Sequence, residues 1–277
     1  QGGLRVHGRL EGTFRVAAAT SLAAGTPADA VLVTVKTWDL GTAVAQIAAA
    51  VPPRTPILLL QNGLRILDGA RAALAAAGWS DPDGSLVRGI NSVPATAVGP
   101  GEVRVPGEGE VVLPAPEGPA AAAIRRFDTL LRGAGLSVRT AVDFPREVWR
   151  KVLVNAAINP VTALHDIPNG RLLEEPYRRE AVRLLREAAA VARALGVAIS
   201  AAEAEADLER VVRATADNRS SMLQDIDRHR PTEVDAISGA LLRLGRERHL
   251  AMPGTEEAVA QLRTRAAEVW SPKPEPS

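Results

Sequence analysis

The stretch Ala30-Val31-Leu32-Val33-Thr34-Val35-Lys36 is a β-branched apolar run that stops at a lysine. That is the pattern of a strand buried on both faces of a parallel sheet. A helical stretch, Leu40 to Ala50, follows and is halted by Pro52-Pro53. The next run, Ile57-Leu58-Leu59-Leu60, has the same buried-strand character and ends at Gln61-Asn62-Gly63. A second helical stretch, Ile66 to Ala77, leads to a third extended segment, Leu86-Val87-Arg88-Gly89-Ile90. Strand, helix, strand, helix, strand predicts a right-handed, doubly wound α/β unit. Ligands of such sheets bind beyond the carboxyl ends of the strands, where Lys36 and Asn62 fall.

Working outward, Gly3-Leu4-Arg5-Val6 and Phe14-Arg15-Val16 alternate as short strands. Residues 91–115 read as turn-rich β structure broken at Gly99-Pro100-Gly101 and Pro106-Gly107-Glu108-Gly109. These glycines do not form a phosphate loop, because Glu110-Val111-Val112-Leu113 continues as a strand where a dinucleotide fingerprint must open a helix. A helix with Ile124, Phe127, Leu130 and Leu131 on one face comes next, then a strand from Leu136 to Val142. After Asp143 the periodicity is helical to about 266, broken at Pro160, Pro168-Asn169-Gly170, Pro231 and Pro253. The expected organisation is an α/β domain over 1–143, an all-α domain over 144–268, and a Pro-rich tail, 269–277, too polar to pack. No internal repeat is visible.

Composition narrows the function. Thirty-three basic and 32 acidic side chains leave a net charge of +1, which favours neither nucleic acid nor an anionic membrane and points to a small-molecule partner. The absence of cysteine removes disulfides, thiolate metal sites and a thiol nucleophile, and is compatible with a reducing cytosol. No apolar run reaches the ~20 residues of a membrane span. His7, His165, His229 and His249 are scattered without ligand spacing, so no metal is expected.

Chemistry concentrates in two places. On a helix through Glu147–Pro160, Lys151, Asn155 and Asn159 step by four and line one face, beside apolar Val148, Val152 and Leu153. The competing reading is a lysine that snorkels to water beside two amides capping local turns. Further on, Asp217-Asn218-Arg219-Ser220-Ser221-Met222 enters a helix through capping residues. Arg230-Pro231-Thr232-Glu233-Val234-Asp235 resembles a second start, with Thr232 as cap, Asp235 three residues on and Glu233 in the first turn.

The blocks Val33-Thr34-Val35-Lys36, Leu60-Gln61-Asn62-Gly63, Trp149-Arg150-Lys151 with Asn155 and Asn159-Pro160, Pro168-Asn169-Gly170, Ser221-Met222-Leu223-Gln224-Asp225 and Thr232-Glu233-Val234-Asp235 follow one another in an order and spacing similar to the ketopantoate reductases. The resemblance runs from about Gly3 to about Arg265. It implies an NADPH-dependent reduction of 2-dehydropantoate, a small 2-oxo acid, in a cytoplasmic route to pantothenate. It also implies an incomplete Rossmann-like doubly wound sheet followed by a helical domain of the 6-phosphogluconate dehydrogenase C-terminal type, with a homodimer as the candidate assembly. By position, Lys151 matches the general acid and Glu233 the active-site carboxylate. Asn155, Asn159 and Ser221 match substrate-binding residues, with Ser220 as the alternative to Ser221. Asn62 matches an asparagine near both substrate and nicotinamide ribose, and Lys36 a lysine lining the cofactor crevice. Another 2-oxo-acid reductase of the superfamily, or a catalytically silent homologue, are the competing outcomes.

One departure stands out. The family opens with a strand leading into Gly-x-Gly-x-x-Gly, which holds the pyrophosphate, and residues 1–277 contain no such block. The expectation is an N-terminal truncation, so residues 1–277 alone should bind NADPH poorly. A fluorescence titration checks this; micromolar binding would mean that another loop holds the cofactor.

Overall fold

A computed structural model describes residues 3–270, without side-chain placement beyond 266. The chain divides into two compact units, one comprising residues up to Gln61 with Arg65–Phe144, the other Asn62–Leu64 with Pro145 onward.

The first unit begins with strands β1 (Leu4–Gly8) and β2 (Gly12–Phe14), an antiparallel pair. Strand β3 (Val31–Val33), helix α1 (Leu40–Ala50), strand β4 (Ile57–Leu59), helix α2 (Ile66–Ala76), the single turn α3 (Pro82–Ser85) and strand β5 (Leu86–Arg88) follow. Strands β3, β4 and β5 pair in parallel in that order, with Leu32 opposite Leu58 and Leu58 opposite Val87. Strand β4 explains the continuous apolar run around it. Ile57 and Leu59 face α1 and α2 in a core with Val44, Ile47, Ala70 and Leu74. Leu58 faces the other way, against the helix over Ala121–Gly133. The sheet therefore carries helices on both faces, as the doubly wound reading requires.

The remaining strands are β6 (Ile90–Asn91), β7 (Thr96–Gly99), β8 (Glu102–Val105), β9 (Glu110–Pro114) and β10 (Ser137–Ala141), with helix α4 (Ala121–Gly133) before the last. Strand β9 lies between β10 and β6, while β8 lies between β1 and β7. The expected single segment Leu86–Ile90 thus divides at Gly89 between two sheets. A Cβ on Gly89 would stand 2.8 Å from the Leu60 side chain and 3.1 Å from that of Leu58, so any other residue at the crossing must displace those leucines.

Two expectations are corrected here. Residues 30–35 do not form a strand buried on both faces: only Val31–Val33 is a strand, it lies at the edge of its sheet, and Leu32 is 47% exposed. Helix α4 buries Ala123, Ile124, Phe127 and Leu131 against Leu58 and Val87, leaving Leu32 uncovered. Leu130 does not share the buried face of α4, being 39% exposed where Phe127 is fully buried. Its angular distance from Phe127 carries it to the rim.

The helical unit comprises α5 (Phe144–His165), a 3-10 turn at Asn169–Leu173, α6 (Tyr177–Ala194), α7 (Ala201–Ala214), α8 (Ser221–Asp227), α9 (Ser238–Glu247) and α10 (Pro253–Trp270). Of the tail expected over 269–277, two residues close α10 and 271–277 lie outside the described residues. Helix α5 is buried around most of its circumference, with Val148, Val152, Leu153, Ala157, Ile158 and Val161 all inside. Its polar exterior side is held by Arg150, whose Nε and Nη2 donate to the Asp207 carboxylate of α7 at 2.7 and 2.6 Å. Those bonds hold the Asp207 carboxyl below its ordinary range and push the Arg150 guanidinium up.

Two further expectations change. Helix α5 is not broken at Pro160 but runs five residues past it to His165. The proline removes only the N–H that would bond the carbonyl four residues before it, and buried side chains on both sides, Ile158 and Val161 among them, carry the helix on; the buried Thr162 hydroxyl contacts the carbonyls of Ile158 and Asn159 at 2.8 and 3.2 Å. Thr232 does not cap a helix: Glu233–Ile237 is a turn, and α9 begins only at Ser238. Asp235 pairs with Arg263 of α10 instead of closing a capping box.

Phe127→Ala should cost about 3–5 kcal/mol because it empties a fully enclosed site, and Leu130→Ala less than about 1. Denaturant unfolding compares them; equal losses would contradict the assigned face of α4.

Candidate active site

In the helical unit, Lys151 and Asn155 are half-buried on α5 and Asn159 is buried. The three side chains leave the same face over about 12 Å of helix. Polar groups on such an element need partners, because an unpaired buried donor costs about 1–3 kcal/mol. Asn159 is 3% exposed, yet its Nδ2 has no hydrogen-bond partner among the described residues. An amide kept in that state is ready to donate to a ligand.

A second part is built from two turns distant in sequence. Asn62 Nδ2 donates to Glu233 Oε2 at 3.2 Å, and Glu233 is buried. What brings them together is Gly63, which has φ of 100° and approaches the 233–237 turn so closely that a Cβ would lie 2.6 Å from the Ala236 carbonyl oxygen. The Leu64 N–H donates to that same carbonyl at 3.5 Å. Only glycine meets both the left-handed backbone and the clearance.

The third part is the N-terminus of α8. Ser220 is its cap and is buried; its Oγ accepts from the Leu223 N–H at 3.2 Å and lies 2.7 Å from Thr162 Oγ1. Ser221, the first helical residue, is exposed. Of the two serines, Ser220 is thus engaged inside the protein and Ser221 presents its hydroxyl outward. The loop before them is held by Asn169, whose Nδ2 donates to Thr215 Oγ1 at 2.9 Å and whose N–H donates to the Asn218 carbonyl at 2.9 Å.

Lys36 lies in the α/β unit, just past the carboxyl end of β3, with its Nζ 5.8 Å from the ring centroid of the exposed Trp38. Beside it, the buried Gln61 donates through Nε2 to the carbonyls of Val33 and Val35 at 2.8 and 3.0 Å, replacing the ladder where β3 ends. Arg88 closes β5 at the same end of the sheet, and burial pushes its guanidinium down to about 10. Neither Gln61 nor Arg88 was singled out by sequence reasoning as a site residue. The signal for Arg88 was a charge inside the apolar run Leu86–Ile90. Thr162 gave only the faint one of a hydroxyl three residues beyond Asn159 in a run of apolar side chains. Among the described residues, no strand-to-helix turn carries more than one glycine.

An α/β unit with polar groups at the carboxyl ends of its parallel strands, followed by a helical unit carrying a half-buried lysine–asparagine row, defines a class of two-unit oxidoreductases. Comparison with known proteins places the chain within that class. The family described as Ketopantoate reductase PanE/ApbA matches residues 1–118, and its C-terminal family, Ketopantoate reductase PanE/ApbA C terminal, matches 143–266. A 2-dehydropantoate 2-reductase of Halobacterium salinarum is 34% identical over 255 residues, covering 91% of this chain and 81% of that protein. The crystal structure of a ketopantoate reductase from Ralstonia eutropha superposes with a TM-score of 0.86 at 26% identity, covering 98% of this chain and 87% of the other. D-mandelate dehydrogenase, in a ternary structure with NADH and anilino(oxo)acetate, shares the fold at a TM-score of 0.86 and 22% identity, over 97% and 86% of the two chains. The chain belongs to the ketopantoate reductase family, whose curated members are oxidoreductases acting on CH–OH groups.

Gly63→Ala should lower stability by about 1–3 kcal/mol, since strain and steric clash act together. An unchanged unfolding midpoint would show that the 61–64 turn is free to move away from Ala236.

Proposed function

We propose that the protein reduces 2-dehydropantoate to pantoate with NADPH, residues 1–143 serving the cofactor and residues 144–268 the substrate. The observation that carries the reading is the unpaired, buried Asn159 amide on the helix face that also bears Asn155 and Lys151. A carboxylate is the ligand such donors suit, and a neighbouring ammonium suits the ketone oxygen of a 2-oxo acid.

A reduced nicotinamide, when bound, would supply the hydride that the carbonyl carbon takes up. Lys151 gives the proton that the resulting alkoxide oxygen takes up, so that a C=O becomes CH–OH and the lysine is left neutral until water restores its proton. Asn155 and Asn159 donate to the substrate carboxylate, and Ser221 hydrogen-bonds a substrate oxygen. Glu233, steadied by the Asn62 amide, accepts from the substrate hydroxyl and orients the lysine. Lys36 and Asn62 are the residues assigned to the cofactor. No described turn has the glycine-rich form that holds a pyrophosphate, so none is assigned to it.

The test is a panel of 2-oxo acids assayed with NADPH and NADH on protein from the full reading frame. The expected result is the highest kcat/KM for 2-dehydropantoate with NADPH; preference for another acid would move the assignment within the superfamily, and no turnover would leave a silent homologue. Lys151→Ala should lower kcat by ~10²-fold or more, with NADPH affinity little changed; near-normal turnover removes Lys151 from its role. Glu233→Gln should lower kcat/KM at nearly constant Tm. Loss of Tm alone would make Glu233 a structural partner of Asn62.

A further inference from the structure

We infer that Thr162 is a positioning residue for substrate binding, acting through Ser220 to set the placement of Ser221 against Asn159. The inference rests on the reading of Asn159 and Ser221 as ligands of the 2-oxo acid. Thr162 is fully buried and Ser220 is 5% exposed, and their hydroxyl oxygens are 2.7 Å apart. Two carbonyl acceptors and one backbone donor surround this pair: the Ile158 and Asn159 carbonyls at 2.8 and 3.2 Å from Thr162 Oγ1, and the Leu223 N–H at 3.2 Å from Ser220 Oγ. Two hydroxyl protons satisfy the set, one running to the Ile158 carbonyl and the other lying between the hydroxyls.

The consequence is geometric. The hydroxyl pair ties the cap of α8 to the turn of α5 that carries Asn159, and Ser221 is the residue directly after that cap. Both ends of the tie are therefore one bond removed from an assigned ligand: Thr162 contacts the Asn159 carbonyl, and Ser220 is covalently joined to Ser221. The α8 side is braced independently by Arg219, whose Nη2 donates to Asp166 at 2.6 Å and whose Nε donates to Asp227 at 2.7 Å. Those charged bonds fix where α8 lies along α5. The buried hydroxyl pair sets its approach, and a cap that has lost its partner shifts the Ser221 hydroxyl relative to the Asn159 amide. Neither hydroxyl contacts the reacting atoms in this reading, so the effect falls on substrate affinity and leaves proton and hydride transfer nearly intact.

The experiment compares Thr162→Val, Thr162→Ser, Ser220→Ala and the double variant Thr162→Val/Ser220→Ala in steady-state kinetics, with Tm recorded for each. Thr162→Val keeps the shape and should raise KM for the 2-oxo acid ~10-fold, as a sub-ångström misplacement of ligands does. Its kcat should stay within about threefold and its KM for NADPH within about twofold, because neither step uses the hydroxyl. Thr162→Ser restores the hydroxyl and should restore KM. Ser220→Ala should match the valine variant, and the double variant should be no worse than the more severe single, since the two act as a unit. A folded Thr162→Val or Ser220→Ala with wild-type KM overturns the inference, as does additivity in the double variant. Should Thr162→Val fail to fold, Ser220→Ala decides alone, because it leaves the Thr162 bond to the Ile158 carbonyl in place. Wild-type protein that reduces no 2-oxo acid would defeat the proposed function itself, an outcome separate from an active wild type with unaffected variants.

Discussion

A buried donor or acceptor on helix α5 costs stability unless it finds a partner, and this constraint governs the helical unit. The helix is enclosed on most sides by apolar neighbours, so water cannot satisfy it. Arg150 answers with a two-pronged bond to Asp207 and Thr162 with bonds to its own helix and to Ser220. Asn159, the buried member of the row, keeps an Nδ2 without a partner among the described residues. A buried amide without a partner costs stability, so its retention on this face is the feature on which the proposed substrate role rests.

A different constraint places Glu233. An acidic residue in a helix's first turn is stabilised by the dipole and needs no further explanation. Here the residue precedes α9 by a full turn and is buried against Asn62. That contact requires the 61–64 segment to pass within touching distance of the Ala236 carbonyl, which Gly63 alone makes possible. The glycine in Gln61-Asn62-Gly63 is thus a clearance for the Glu233 turn, and the neighbouring Gln61 amide serves the end of β3.

How far these features could be read beforehand depends on the range of the interaction behind them. The bounds of helix α1 are legible because Leu40 to Ala50 repeats at helical spacing and two prolines stop it. The Lys151-Asn155-Asn159 face followed from the same periodicity. The extent of β3 did not, because burial of Leu32 depends on how far α4 reaches across the sheet. The missing N–H of Pro160 signals a break by local rules, but the burial that carries α5 through it is set by the packing of the whole unit, and Thr162 meets its hydroxyl partner 58 residues away.

Taken alone, the sequence determined most of the elements though not all their ends, the division into an α/β stretch and a helical stretch, the polar row and the family. All of these are written in local spacing or in the order of short blocks. The tertiary structure decided which serine is held inside and which faces out, that Glu233 meets Asn62 rather than capping a helix, and that Asn159 keeps an unpaired amide. Each of those is a matter of whether a polar atom finds a partner across tens or hundreds of residues. Only the packed chain brings such atoms within hydrogen-bonding distance or leaves one of them without a neighbour.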